Sequence, residues 1–429
     1  MSASKHRLLF LAYPFPPSPA IGAVRAWHMA QNLAQLGWEV TVVTPKPGEA
    51  IDKDSSDAAE ERCRQEGIKR VFAGKLHWRP RRSPLKQPAA WLRYIPFVLL
   101  GRVLRFLGIS MSDVWLAPCI RTCLQFHPGE FDVVLATGSP FSTFVAAKRV
   151  ARNLGIPYVL DYRDPWSLRA LQPKTKRLFP VIRPMERRLI RDAAATVMVS
   201  PSQAKNQAEA FCMPKAPAVI TNGYDPDQLE AVAPVLFSDF AVVYAGSFYM
   251  GHIEIDPVLK AVKTAAESRG RDAPPIRLHY YGTDVPHVMQ RAKAYGAEGL
   301  VVCHGHVPWA QSLAAIKGAG VAAVITSIRE KADLAERGII TGKIFEPLGM
   351  GVQILLVAPE ESDATAVMEG AGAGRSFRAS QVEAMAQWLV ELASDSTKRQ
   401  YEPPRGYSWP VLSKQLDEIL RHAIAMPKL

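Results

Sequence analysis

Three stretches of this 429-residue chain carry residue types suited to holding a phosphate. A group leaving on a diphosphate develops negative charge. Backbone N–H groups, helix N-termini and a cation can meet that charge without a metal. PFPPSPAIGAVRAWHMA follows a short apolar run and puts Gly22 at the start of a helix, with Arg25 one turn in. Glycine there lets backbone approach a ligand closely; the alternative is a plain strand-to-helix loop. YAGSFYMG (244–251) ends a strand on Gly246 and Ser247, which offer N–H and hydroxyl donors. In GIITGKIFEPLGMGVQILLV, Gly342 and Lys343 open a helix, Glu346 follows one turn later and Gly351 closes it. Lys343 would be the cation for a diphosphate, and Glu346 would accept hydrogen bonds from the two hydroxyls of a ribose. Against this stands the ordinary solvated i,i+3 pair. The spacing around Gly22 is not GxGxxG, which counts against a dinucleotide oxidoreductase.

A second group lies at strand ends, where open α/β sheets bind ligands. In DYRDPW (161–166), Asp161, Arg163 and Asp164 are placed to orient an acceptor or a sugar, with Asp164 a candidate base. The alternative is a charge pair between Arg163 and a neighbouring aspartate that shapes the loop. Ser139, in GSPF, reads either as a ligand contact or as a helix N-cap before Phe141. Asn222 and Gly223 read as hinge geometry, and His28 as a packed side chain. His304 and His306 flank Gly305 without a carboxylate at metal-site spacing, so no metal and no cofactor are expected.

The elements that must position these residues alternate strand and helix. RLLFLAY (7–13), a helix ending at Gly37, and WEVTVVT (38–44) open a doubly wound parallel sheet. FDVVLAT, PYVLDY, ATVMVS and AVIT continue it. FAVVYAG begins a second series with IRLHYYG, LVVCHG, VAAVIT and VQILLV. The expected organisation is an α/β protein of two Rossmann-like domains, 1–222 and 223–404, with a ligand cleft between them. A last helix within 405–429 is expected to cross back to the first domain. The length suits two domains of roughly 200 residues each. Five cysteines without CxxC spacing suit reduced thiols. No signal peptide is expected, and a cytoplasmic location follows.

Charge is uneven: the first 200 residues hold 30 Lys and Arg against 15 Asp and Glu, the remainder 22 against 25. The N-terminal half therefore faces something acidic. Residues 75–110 mix Arg and Lys with Trp, Tyr, Phe and Leu, and arginines interrupt every window long enough to span a bilayer. That pattern suits a helix lying on an anionic membrane surface; the other reading is a basic helix packed on its own domain. Nucleic acid is not an expected partner, because no recognition module is visible.

Six ordered blocks together resemble one family. RLLFLAYPFPPSPAIGAVRAWHMAQNLAQLGWEVTVVT, FDVVLATGSPFSTFVAAKRVARNLGIPYVLDYRDPW, MERRLIRDAAATVMVSPS, VITNGYDPD, YAGSFYMG and GKIFEPLGMGVQILLV look like successive parts of GT-B retaining glycosyltransferases of the family 4 type. The nearest likeness is to bacterial members that build capsule, O-antigen or exopolysaccharide. The resemblance implies metal-independent transfer, with retention, from a nucleoside-diphosphate sugar to a saccharide or polyprenyl-linked acceptor. It places Gly22, Gly246, Ser247 and Lys343 at the donor phosphates and Glu346 at the ribose. The first glutamate of the family's E-x7-E motif falls on Gly338, so this chain departs from the full motif. Ser247 stands where many members have arginine. A sugar-nucleotide epimerase of the same fold and a non-catalytic transferase-like subunit are the alternatives.

Overall fold

The structure is a computed structural model; it describes residues 5–18, 20–47, 53–75, 115–168, 179–249, 251–269, 273–395 and 401–426. The segment 76–110 of the basic stretch noted above lies outside the described residues. Two compact units are present. The N-terminal unit comprises Met1–Val199, Ala204–Ile220 and Ser413–Leu429; the C-terminal unit comprises Ser200–Gln203 and Thr221–Leu412.

The N-terminal unit is built on β1 (Arg7–Ala12), β2 (Glu39–Lys46), β3 (Lys69–Lys75), β4 (Val133–Gly138), β5 (Tyr158–Tyr162), β6 (Ala195–Met198) and β7 (Ala218–Val219). They form one parallel sheet in the order β3-β2-β1-β4-β5-β6-β7. The C-terminal unit repeats the plan with β8 (Phe240–Ala245), β9 (Ile276–Tyr281), β10 (Val301–Gly305), β11 (Val321–Ile325), β12 (Ile354–Val357) and β13 (Gly374–Phe377). Its order is β10-β9-β8-β11-β12-β13, again all parallel. In each sheet the chain winds one way from the first strand and then reverses, which is the doubly wound order.

Helices cover both faces of such sheets, so central strands are apolar along their whole length. Residues 8–12 of β1 and the whole of β12 are buried. Edge strands lack this signature. β3 reads KRVFAGK and β13 reads GRSF, so neither carries an unbroken apolar run that marks it in the sequence. The helix Ser142–Leu154 shows the matching 3.6-residue period, burying Phe144, Ala147, Val150, Ala151 and Leu154 against the sheet. Each large side chain so buried contributes roughly 1.5–3 kcal/mol. The helix ends where Gly155 turns left-handed at φ 66°, a conformation glycine adopts without Cβ strain.

One buried ion pair ties this sheet to its first helix. Arg25, on the helix Ile21–Gln35, donates from Nη2 to Asp161 Oδ1 at 2.6 Å and to the Ile220 carbonyl at 3.0 Å. Its Nε lies 3.1 Å from Asp161 Oδ2, which also accepts from the Thr137 hydroxyl at 2.7 Å. The two side chains are 2% and 0% exposed. Charges this deep are tolerated only when each is neutralised and hydrogen-bonded. Removing one partner leaves an uncompensated buried charge. Asp161→Ala should therefore cost about 3–5 kcal/mol in urea unfolding, whereas Arg25→Met combined with Asp161→Leu should recover most of that loss. A loss below about 1 kcal/mol for the single variant would mean that the pair does not hold the fold.

Candidate functional site

In the C-terminal unit the residues suited to phosphate collect where the strand order reverses, at the carboxyl ends of β8 and β11. Gly246 follows β8 with φ 140°. Its N–H donates to the Tyr281 carbonyl at 2.8 Å, and its own carbonyl accepts from the Tyr280 hydroxyl at 3.0 Å. A Cβ built on Gly246 would lie 1.8 Å from Lys343 Nζ. The ammonium thus occupies the space that a side chain would need. It also sits 5.2 Å from the centroid of the Tyr244 ring, a cation–π distance. Gly282, after β9, packs as closely: a Cβ there would meet the Gly246 carbonyl at 2.4 Å.

Lys343 belongs to a 3₁₀ turn, Gly342–Ile344, which Thr341 caps by accepting from the Lys343 N–H at 3.4 Å. The turn leads into the short helix Phe345–Met350, closed by Gly351 at φ 71°. The helix expected to open at Gly342 thus begins with a tighter turn. Glu346, one turn beyond Lys343, accepts from the Trp309 indole N–H at 3.1 Å. Lys343 and Glu346 are both half-buried. Burial lowers the pKa of the Lys343 ammonium below the ordinary lysine value, against the pull of Glu346 and Asp284. Burial likewise raises the Glu346 carboxyl, opposed by Trp309 and Lys343. Each charged form is thus short of solvation, and an anion against the lysine would relieve this.

Ser247 is exposed beside Gly246, and its carbonyl accepts from the Tyr244 hydroxyl at 3.4 Å. Gly338, where the resemblance would put a first glutamate, has no room for a side chain. A Cβ there would meet Gln203 Cγ at 2.6 Å and Ser200 Oγ at 2.9 Å. Trp309, Tyr244 and Asp284 belong to this constellation and escaped the sequence reading. Only Trp309 leaves a trace in the sequence, as a tryptophan directly after proline at the start of a helix, where it is 49% exposed.

The N-terminal unit gathers its own candidates at its own reversal, beside β1 and β4. A Cβ on Gly22 would fall 1.1 Å from Arg163 Nη1, so the guanidinium occupies the side-chain space of the glycine that opens the first helix. Arg163 Nη2 reaches the Ser139 carbonyl at 3.5 Å, and its Nε is 3.7 Å from Asp164, whose side chain is 50% exposed. Gly22, Ser139, Arg163 and Asp164 therefore form one cluster. Asp161 is turned away from it into the buried pair with Arg25, and its carboxylate serves the fold. Arg25 is withdrawn from phosphate binding for the same reason. The helix Ser142–Leu154 starts without a side-chain cap, so Ser139 is not its N-cap. Gly223 packs against the Tyr407 carbonyl, 2.5 Å from where a Cβ would stand.

The loop that carries Arg163 and Asp164 is pinned from below. Trp166 stacks on Phe141 with ring centroids 5.1 Å apart and planes 8° apart, and the Ser167 N–H donates to Glu186 at 3.2 Å. Glu186 is completely buried.

Residues 22–223, a little under half of the chain, match the family described as "Glycosyl transferase 4-like domain". No curated protein sequence matches the chain. Among solved structures, it is similar to a glycosyltransferase from Rickettsia africae at 12% identity, with 99% of this chain and 100% of that one covered and a TM-score of 0.60. It is similar to Anabaena HepE in complex with UDP and glucose at 15% identity, with 97% and 99% covered and a TM-score of 0.58. A third is a putative UDP-N-acetylglucosamine 2-epimerase from Listeria monocytogenes, at 13% identity, 99% and 99% covered and a TM-score of 0.55. The shared architecture is GT-B, two Rossmann-like domains each built on a parallel sheet. Among the described residues no helix is long and apolar enough to cross a membrane.

Two outcomes follow from this geometry. Gly246→Ala should displace the Lys343 ammonium and strain the backbone at φ 140°. It should weaken binding of any diphosphate ligand at least tenfold in calorimetry; unchanged affinity would remove Lys343 from the site. Glu186 supplies the second. Burial pushes its carboxyl from 4.5 up to about 7, against the hydrogen bond from the Ser167 N–H, the neighbouring Tyr162 hydroxyl and the charge of Arg183. The folded chain holds this proton more tightly than the unfolded chain does. The resulting stability is complete below about pH 4.5 and is lost as pH rises through about 7. Wild type should lose on the order of 3 kcal/mol more than Glu186→Gln across that window, read by urea unfolding at each pH. Parallel profiles would show that Glu186 is not the group titrating.

Proposed function

We propose that this protein is a glycosyltransferase that moves a sugar from a nucleoside-diphosphate donor to a saccharide or polyprenyl-linked acceptor, with retention, in the assembly of a cell-surface polysaccharide. The observation that carries the reading is the desolvated Lys343 ammonium seated on Gly246, with the Glu346 carboxylate one turn away at the strand-order reversal. A diphosphate leaving group would restore the missing counter-charge to Lys343, and a ribose diol would supply donors to Glu346. Support comes also from the likeness to a glycosyl transferase 4-like domain and from the GT-B relative that holds UDP and glucose.

In the transfer, the bond between the anomeric carbon and the diphosphate oxygen breaks and a bond to the acceptor oxygen forms. The acceptor proton leaves with the diphosphate or is taken by a base. Lys343 stabilises the charge that grows on the departing oxygen; the Gly246 N–H is already given to the Tyr281 carbonyl, so the exposed Ser247 beside it is the candidate to add a donor. Asp164, half exposed beside Arg163, is the candidate to orient the acceptor or take its proton. Metal-independent chemistry is part of this proposal. The fold shared with a putative 2-epimerase favours one second reading, an epimerase acting on the sugar nucleotide alone. Consumption of a sugar nucleotide with no acceptor present would select it.

A thermal-shift series of nucleoside diphosphates against wild type, Lys343→Met and Glu346→Gln tests the donor site. One nucleotide should stabilise wild type, by about 2.7 kcal/mol at a hundredfold excess over its Kd, and both variants should lose most of that shift. Lys343→Met should at the same time melt about 2 °C higher than wild type without ligand, because it removes a charge short of solvation. Equal nucleotide stabilisation of all three proteins would sink the assignment.

A further inference from the structure

A tryptophan that serves only to pack is largely buried. Trp309 is 49% exposed, yet its indole N–H is committed, donating to Glu346 Oε1 at 3.1 Å. Three features fix where the ring stands. Gly305, at the end of β10, is left-handed at φ 72°, and its carbonyl accepts from the Gly282 N–H at 2.9 Å. Pro308 then precedes the helix Trp309–Gly318 at φ −54°, a value its own ring imposes. Leu313, one turn along that helix, is buried in one cluster with Phe345 and Leu348, which lie on the short helix that carries Glu346. The two helices thus share a core, and that core brings the indole to the carboxylate.

An indole N–H can donate but cannot accept. Its bond therefore favours the ionised carboxylate, which only accepts, over the acid. Burial drives Glu346 toward the acid, and the Trp309 bond opposes that drive more than the charge of Lys343 does. A neutral side chain thus does more than the neighbouring cation to keep this carboxylate ionised. The bond also sets direction. With Oε1 held by the indole, Oε2 and the second lone pair of Oε1 can still accept. Two acceptors on one carboxylate match two hydroxyls on adjacent carbons. An acid in the same place would turn one oxygen into a donor, and a carboxylate left to rotate would lose more entropy on binding. A ligand with one hydroxyl in place of two would leave a half-buried, charged acceptor short of a partner, which is the costly case.

We propose that Trp309 is a positioning residue, which fixes one oxygen of Glu346 so that the carboxylate meets a cis-diol and thereby makes the site select ribonucleoside over 2′-deoxyribonucleoside diphosphates. The proposal rests on the donor-site reading above. Calorimetry on the full chain with UDP, CDP, ADP and GDP, with their 2′-deoxy counterparts and with dTDP tests it. The ribonucleotide that binds wild type should bind at least about tenfold more tightly than its deoxy counterpart. Trp309→Phe keeps an aromatic ring and removes the donor. It should cut that preference to about threefold or less by weakening the ribonucleotide, with the deoxynucleotide changed less than about twofold. Trp309→Gln returns an N–H donor and should recover part of the preference. The loss in Trp309→Phe should grow as pH falls from about 8 to about 6. Without the indole bond Glu346 takes up its proton at a higher pH, and the acid no longer accepts from both hydroxyls. Damage to packing would instead weaken both nucleotides by one factor at every pH. In a Glu346→Gln background, Trp309→Phe should leave the remaining preference unchanged. Equal binding of the ribo and deoxy forms by wild type, tightest binding of a deoxynucleotide, or equal weakening of both forms in Trp309→Phe overturns the role of Trp309 and leaves the donor site standing. An unchanged preference in Trp309→Phe does the same. Failure of wild type to bind any of these nucleotides overturns the donor-site reading, and this proposal with it.

Discussion

A parallel sheet whose strand order reverses leaves its helices on opposite faces at the point of reversal, and the carboxyl ends of the two flanking strands then border an open crevice. Both sheets of this protein obey that constraint, beside β1 and β4 in one unit and beside β8 and β11 in the other. The candidates for the sugar-nucleotide site lie at those two places, on strand-end loops or, for Lys343 and Glu346, on the turn and short helix Gly342–Met350. Gly22 and Arg163 meet at the first, Gly246 and Lys343 at the second. In each case a glycine yields its Cβ space to the end of a long cation, so that a positive charge is held against bare backbone.

Two charge arrangements, one buried and one half-buried, show what distinguishes scaffold from site. Arg25 and Asp161 satisfy each other, with Thr137 and the Ile220 carbonyl taking up further hydrogen-bonding capacity. Nothing is left for a ligand, and the pair fastens the first helix to β4, β5 and the segment after β7. Lys343 and Glu346 are placed in the opposite way. Both lose solvent, and the groups around them compensate only in part. A fold gains nothing from charges in that condition, whereas the proposed sugar-nucleotide ligand would relieve both.

The helix Phe179–Asp192 serves two surroundings with a single periodicity. On its inner side Glu186 anchors the loop that presents Arg163 and Asp164, through the Ser167 N–H. On its outer side the same turns carry the arginines. A change of one residue in register would move a cation into the core and the buried carboxyl into solvent, so the spacing of acid and base along MERRLIRD is fixed by burial as much as by charge.

Much of the architecture was legible in the order of apolar runs. Strands buried on both faces announce themselves as unbroken Val, Ile and Leu, whereas β3 and β13, at the edges, carry polar residues and do not. Lys343 and Glu346 were legible because lysine and glutamate one turn apart between glycines form a recognisable pattern. The sequence alone thus determined the two doubly wound sheets, their central strands and the residue types available for an anion. Tertiary structure decided which of those residues meet. Asp161, which reads as ligand-facing, belongs to Arg25, 136 positions away, and Trp309 reaches Glu346 across 37 positions. Such pairings depend on strand order, which places distant segments side by side. No local period records that order, because the apolar pattern of a strand states that it is buried and not which strand lies next to it.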